Sequence, residues 1–373
     1  MIGMRKMKST YQSILVMGLL AVMVACAEVI DLGTEDNAGG QIVIFGRITN
    51  GTQGNELTIS RTGFLGQEPI PVSGAIVTLH DSQGVVGNYQ SDNEGNYTLT
   101  SSAPVARPGE PYFVRVEFAG GGAYQSKPEV MPTISAKDSL YFEVQEIEET
   151  SDQGITSTRF VVSVLSNTEI FDPRPDLFIK WDLEEVYTFE QAVLPMHNFP
   201  FYTRNICYMT NELEQQRVQL YDGSELRATS INGITQTDRS IDESFRSVHY
   251  FNMVQQSITK EAHLFWSGLD QNINRVGSIF DQPPGRLSTN LYNVDDPTQE
   301  ALGYFVVSAA DTTRLKVTNS QLGQFFPEPC PKNPEVDFAP FMAFWFIERY
   351  YEPECLNCLT LRNSSLSRPS YFD

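Results

Sequence analysis

The sequence predicts a mainly β protein built as two β-sandwich domains, a small one followed by a larger one that carries a single covering helix. Three observations predict it. Apolar residues recur with period two in short runs, clusters of Gly, Asn and Asp separate those runs, and one segment alone has helical spacing. The chain has 373 residues, 41% of them hydrophobic and 11% aromatic, enough to build two or three cores.

The first element is a leader. Arg5, Lys6 and Lys8 precede an uncharged apolar run from Ile14 to Ala25, too short for a stable membrane span. Residues 1–25 therefore read as a signal peptide. Met23-Val24-Ala25-Cys26 resembles a bacterial lipobox, with Met23 where Leu is usual, so Cys26 is the expected lipidation site. Several acyl chains on one cysteine bury enough methylene groups for lasting attachment. Residues 26–41 follow as an acidic, glycine-bearing tether. No later segment reaches 18 consecutive apolar residues, so the expected state is anchored to a membrane without spanning it.

The N-terminal sandwich is expected over 42–132. Ile42, Ile44 and Ile48, then Ala75, Val77 and Leu79, then Tyr112, Val114, Val116 and Phe118 alternate with their neighbours. Asn50-Gly51, Asp81 to Gly84, Asp92 to Gly95 and Gly120 to Gly122 supply turns between them. The larger sandwich is expected over 133–329. Its strands are Leu140–Val144, Phe160–Leu165, Leu177–Phe189, Val218–Tyr221, Val248–Val254, Gly303–Ala309 and Arg314–Val317. Within the long third strand Leu177, Ile179, Trp181 and Leu183 share one face; Lys180, Asp182 and Glu184 read as its solvated face. The helix is expected near 257–275, with Ser257 as N-cap and Ile258, Ala262, Phe265, Leu269 and Ile273 as its apolar stripe. A cysteine-containing, aromatic segment, 330–373, ends the chain.

Charge excludes one class of partner. Lys and Arg number 26 against 46 Asp and Glu, a net charge of −20; from Cys26 onward 23 bases face 46 acids. Phosphate binding needs clustered bases, and none occurs after residue 8, so no nucleic-acid partner is expected.

Chemistry-bearing motifs are sparse. Cys207, Cys330, Cys355 and Cys358 suit two disulfides in an exported chain, with zinc binding or a redox Cys-x-x-Cys as the alternatives; three pairings satisfy the count. His80, His197, His249 and His263 show no two-ligand helical spacing, and His263 reads as a boundary or surface residue. No nucleophile elbow, Walker loop, dinucleotide turn or complete EF-hand occurs, so neither cofactor, metal nor catalysis is expected. The aromatic run containing Phe341, Phe344, Trp345, Tyr350 and Tyr351 offers a candidate interaction surface, against the alternative of a buried sandwich edge.

Several stretches carry a resemblance. Ser73-Gly74-Ala75 to Leu79, followed by Ser91 to Tyr97, resembles the carboxypeptidase-regulatory-like and Ig-like sandwiches, in which a glycine makes the hairpin turn and the tyrosine caps the core. Cys26 to Leu32, Gly46-Arg47-Ile48-Thr49-Asn50, Asp138-Ser139-Leu140-Tyr141, Cys207-Tyr208, Ser257 to Ala262, Leu302 to Phe305 and Pro353 to Cys358 together resemble the uncharacterised Bacteroidota lipoproteins called domain of unknown function 4249. Asn363-Ser364-Ser365 departs from that family's usual Gly-Gly turn. The resemblance implies a non-catalytic outer-membrane lipoprotein facing the cell exterior, held in the lipid leaflet by acylated Cys26. It further implies an accessory role beside a TonB-dependent β-barrel receptor in nutrient capture. A free-standing glycan-binding or adhesive module is the competing expectation, and a hydrolase with convergent carboxylates a third.

Overall fold

The computed structural model describes residues 40–63, 67–150, 154, 156–192, 205–213, 217–225, 227–274, 287–324, 326, 328–330 and 352–372, with backbone alone at 149 and 150. The leader, Cys26, most of the tether, His197 and the aromatic residues Phe341, Phe344, Trp345, Tyr350 and Tyr351 lie outside the described residues. Strand makes up 51% of the chain and helix 10%, so the fold is mainly β. No helix among the described residues is long and apolar enough to cross a membrane.

Contacts divide the chain into two units, residues 1–41 with 61–70, and residues 42–60 with 71–373. In the first, the Gly40 N–H donates to the Thr62 carbonyl at 2.8 Å and the Thr62 N–H to the Gln41 carbonyl at 2.9 Å.

The second unit contains the cores. Its N-terminal strands are β1 (Ile42–Thr49), β2 (Glu56–Arg61, its last residue in the first unit), β3 (Ile70–Pro71, divided likewise), β4 (Ile76–His80), β5 (Val85–Asn88), β6 (Gln90–Ser91), β7 (Asn96–Thr98), β8 (Pro111–Glu117), β9 (Ala123–Ser126) and β10 (Glu129–Val130). Then come β11 (Ala136–Thr150), β12 (Thr156–Ile170), β13 (Phe178–Glu190), β14 (Ile206–Glu212), β15 (Gln219–Asp222), β16 (Ser230–Ser240) and β17 (Val248–Ile258). Helix α1 (Lys260–Ile273), β18 (Leu291–Asn293), β19 (Leu302–Thr318), α2 (Asn319–Leu322), α3 (Pro353–Leu356) and β20 (Ser364–Ser365) complete the order.

One 11-stranded sheet follows the path β20-β14-β13-β17-β19-β1-β2-β7-β6, with β15 beside β13 and β3 beside β2. A 6-stranded sheet runs β18-β9-β8-β4-β5 with β10 beside β8, and a 3-stranded sheet runs β11-β12-β16. One of the sheets is a curled half-barrel. Strands from both sides of residue 132 share the large sheet, because β1 pairs in parallel with β19 from Val43 opposite Leu302 to Thr49 opposite Ser308.

Alternation decides which face each strand buries. Ile42, Ile44 and Ile48 of β1 pack with Leu79, Val114, Val116, Phe305 and Val307 in the first core. Tyr97 is buried in it; its hydroxyl donates to the Val72 carbonyl at 3.0 Å and accepts from the Ala75 N–H at 3.1 Å. Gly95 takes a φ of +86° in the turn before it. In the second core Ile179, Trp181 and Leu183 meet Phe251 and Met253 of β17 and Val162 and Val164 of β12. The third core places Ala262 and Phe265 of α1 against Phe178, Ile258, Tyr304 and Val306.

Three local expectations change. The helix N-cap is Thr259, whose hydroxyl accepts from the Ala262 N–H at 3.2 Å, because Ser257 and Ile258 are the last residues of β17. His263 is buried at 8% exposure, its ring 5.0 Å from that of Phe178. The two strands expected at 303–309 and 314–317 are one continuous β19, paired to β1 at its start and to β17 at its end.

Gly303 makes the parallel pairing feasible. Its φ is +93°, and a Cβ built there would lie 2.1 Å from the Ile44 carbonyl oxygen. Gly303→Ala should therefore lower stability by at least ~2 kcal/mol, read as a lower midpoint in urea unfolding; an unchanged midpoint would show that β1 and β19 separate at no cost.

Candidate functional site

β13 and β17 carry the second core on one face and a polar cleft on the other. Register sets Lys180 beside Gln256, Asp182 beside Val254 and Glu184 beside Asn252, while Glu212 of β14 stands opposite Glu184. Phe45, Arg47, Glu56, Thr58 and Val306 from β1, β2 and β19 line the same cavity, with Trp266 of α1. Its volume is about 490 Å³, within the range of small-molecule sites.

The face of β13 expected to be solvated lines this cleft instead, with Lys180 buried and Asp182 and Glu184 half-buried. Lys180 is 4% exposed; its ammonium bonds to Asp182 and lies 4.3 Å from the centre of the Trp266 ring. Burial pushes the Lys180 ammonium below its ordinary value and Asp182 opposes that shift. Gln256 donates its side-chain amide to the other oxygen of Asp182. Across the cleft, Arg47 donates to the Gly54 carbonyl at 3.0 Å and to Glu56 at 2.6 Å. The Trp266 ring meets Phe45 edge-on at 5.5 Å. Sequence reasoning missed this site because its walls come from residues 45–58, 180–213, 254–266 and 306, with no local spacing to join them.

Glu185, Asp138 and Glu129 are buried carboxylates outside the cleft, each held by three donors. Glu185 accepts from Arg239 Nε at 2.8 Å, His249 Nε2 at 3.1 Å and Asn211 Nδ2 at 3.1 Å. Burial pushes its pKa up, but bonds from His249 and Arg239 and the Arg239 charge outweigh it and hold Glu185 at about 2. His249 is stacked on Phe245 at 4.1 Å and Tyr187 at 5.3 Å. Asp138 accepts from Trp181 Nε1 at 3.0 Å, Gln255 Nε2 at 2.7 Å and Thr168 Oγ1 at 2.5 Å. Glu129 accepts from Tyr304, from Thr259 Oγ1 at 2.7 Å and from Asn290 Nδ2 at 2.9 Å. Burial raises both of these carboxyls despite their donors. Such groups brace the fold; none faces the cleft.

The family described as Domain of unknown function (DUF4249) matches residues 27–314. The chain belongs to that family. No curated protein and no solved structure matches it. The DUF4249 span includes every cleft residue and stops short of three of the four cysteines predicted to pair. Two disulfides form in this DUF4249 protein, Cys207 with Cys358 and Cys330 with Cys355. Cys355 and Cys358 thus take separate partners, which removes the redox Cys-x-x-Cys and the zinc alternatives for these thiols. Among the described residues no group of three His, Cys, Asp or Glu side chains is placed to hold a metal. Asn363 takes a φ of +62°, the left-handed conformation that favours glycine, and the turn delivers Ser364 and Ser365 to pair with Met209 and Tyr208.

Two outcomes are expected. The Cys207–Cys358 link closes a separation of 151 residues and Cys330–Cys355 one of 25. In chain-entropy terms the first contributes roughly 5 kcal/mol and the second about 3.5. Replacing Cys207 and Cys358 by Ala should then lower the urea midpoint more than replacing the other pair, with non-reducing peptide mapping to verify the remaining bond. The second concerns Glu185, whose folded pKa is depressed, so its stabilisation is complete above about pH 4.5 and lost as pH falls through about 2. Glu185→Gln should cost roughly 3 kcal/mol at neutral pH. The gap from the parent should narrow as acid unfolding curves descend through that window; a gap independent of pH would contradict the assignment.

Proposed function

We propose that this protein is a lipid-anchored, non-catalytic accessory subunit of a TonB-dependent β-barrel receptor, displayed on the outer membrane, where it captures a small nutrient for the receptor. The observation that carries the reading is Met23-Val24-Ala25-Cys26 directly after a basic and apolar leader, since it gives a membrane address to a β fold with a ligand-sized cleft. Net charge supports the orientation. A body with 23 bases against 46 acids is repelled by an anionic membrane surface and held off it by its tether. The cleft supports capture: Arg47 is fixed by Glu56 and Lys180 by Asp182, so a ligand meets a preorganised polar wall. The receptor as partner rests on the resemblance of the chain to lipoproteins encoded beside such receptors. The glycan-binding alternative rested on Trp345 and its neighbours, which lie outside the described residues.

Mild detergent extraction and affinity purification of the tagged protein should recover a β-barrel receptor, and Cys26→Ala should move the protein from the membrane to the soluble fraction. Recovery of the protein alone, under conditions that keep other membrane complexes intact, would overturn the accessory role; a membrane-bound Cys26→Ala variant would overturn the anchor.

A further inference from the structure

β11 is the edge of its sheet. It pairs with β12 from Ala136 opposite Ile170 to Thr150 opposite Thr156, and no strand lies on its other side among the described residues. β16 accompanies β12 only as far as Val161 opposite Ser240, so residues 146–150 and 156–160 run on as a two-stranded ribbon about 17 Å long. Two strands by themselves are marginally stable in water, and a long open edge presents unpaired N–H and C=O groups to any strand that reaches it. One face of this sheet belongs to the second core, where Val162 and Val164 are fully buried and Leu140 and Phe142 pack against the cluster. The same face continues past the core. Val144, opposite Val162, is 43% exposed, and Phe160, diagonal to Val144, is 48% exposed. Glu146 and Glu148 stand beyond Val144 on that face and Glu143 on the other, all three exposed. Glu143 accepts from the Gln145 amide at 3.2 Å, and no ion pair reaches any of the three among the described residues.

We infer that the free edge of β11 over residues 140–148 docks an extended, basic segment of a partner protein, which joins the sheet as a further strand. Each feature selects one property of that segment. The open edge takes an extended backbone, because its free groups recur at strand spacing. Val144 and Phe160 take an apolar side chain from the added strand, directly from β11 and diagonally from β12. The carboxylates on the two faces take Lys or Arg. These features also exclude other occupants. A second copy of this chain would set β11 against β11 and bring like charges together, since the strand's one base, Lys137, lies outside the stretch. A helix laid on the ribbon would leave the edge groups unpaired. Charge alone would serve to protect an edge from chance pairing, but two large apolar side chains exposed beside it make a contact surface. The inference depends on neither the cleft nor the lipid anchor.

The test is fluorescence anisotropy of the detergent-solubilised full chain with three labelled, end-capped peptides of about nine residues: alternating Lys-Val, alternating Glu-Val and alternating Lys-Pro. Lys-Val should bind at least about tenfold more tightly than either of the others, because Glu-Val reverses the charge while Lys-Pro keeps it and loses ladder donors. A Lys-Val peptide carrying a photo-crosslinker should label residues 140–150, mapped by mass spectrometry. The double variant Val144→Thr, Phe160→Thr keeps strand propensity and should lose about tenfold in Lys-Val affinity, with its melting temperature held because both side chains are exposed. Equal affinity for Lys-Val and Lys-Pro would reduce the edge to a charged surface, and equal affinity for Lys-Val and Glu-Val would remove the charge selection. Either result overturns the inference, as would no binding by any peptide, crosslinks confined to other segments, or a double variant that binds Lys-Val unchanged.

Discussion

The parallel pairing of β1 with β19 organises the rest of the structure. β19 is 17 residues long, roughly 55 Å when extended, and it contributes side chains to all three principal cores: Phe305, Val307 and Ala309 to the first, Val317 to the second, Tyr304 and Val306 to the third. β1 reaches it only because Gly303 lets the two backbones approach where any Cβ would strike the Ile44 carbonyl. Without that contact the strands of residues 42–60 and those of residues 178–258 would belong to separate sheets. With it, they form one sheet whose face carries Phe45 and Arg47 at one wall of the cleft and Lys180 to Glu184 at the other.

Packed sheets must also satisfy the polar groups trapped between them, and these buried carboxylates show two ways of doing so. Glu185 keeps its charge because Arg239 and His249 outweigh desolvation. Asp138 and Glu129 have neutral donors only, so burial dominates and raises them. The signs of their linkage to pH are opposite. Asp138 and Glu129 stabilise the fold most when protonated, an advantage present below their unfolded pKa and lost as pH rises through the folded one, whereas Glu185 loses its contribution as pH falls. Each group also ties distant strands together: Asp138 joins β11 to β12, β13 and β17, and Glu129 joins β10 to β19 and the cap of α1.

The cleft follows from the same two-faced sheet. The face packed on β12 is closed by apolar side chains, while the opposite face is closed only in part by α1, which leaves Lys180 roofed by Trp266, Glu184 half-buried and Glu212 exposed. A cleft remains where a covering element stops short of the polar residues it would otherwise have to bury.

Period-two alternation in residues 42–48, 76–80 and 112–118, and the helical stripe after Thr259, were legible in the sequence because they record a local geometry, the pleat of a strand or the turn of a helix. The number of cysteines available to pair was legible for the same reason, as was the division of β13 into two faces. What covers each face was not. Alternation states that Lys180, Asp182 and Glu184 point the same way, yet whether that way is water or a cavity depends on Trp266, Arg47 and Glu56, which sit far along the chain. The disulfide pairing and the walls of the cleft were decided in the same manner, by contacts between residues as distant as Cys207 and Cys358 or Ile44 and Gly303. Side-chain patterning is a property of neighbours, but burial and electrostatic surplus are properties of an enclosure, and tertiary contacts alone build the enclosure.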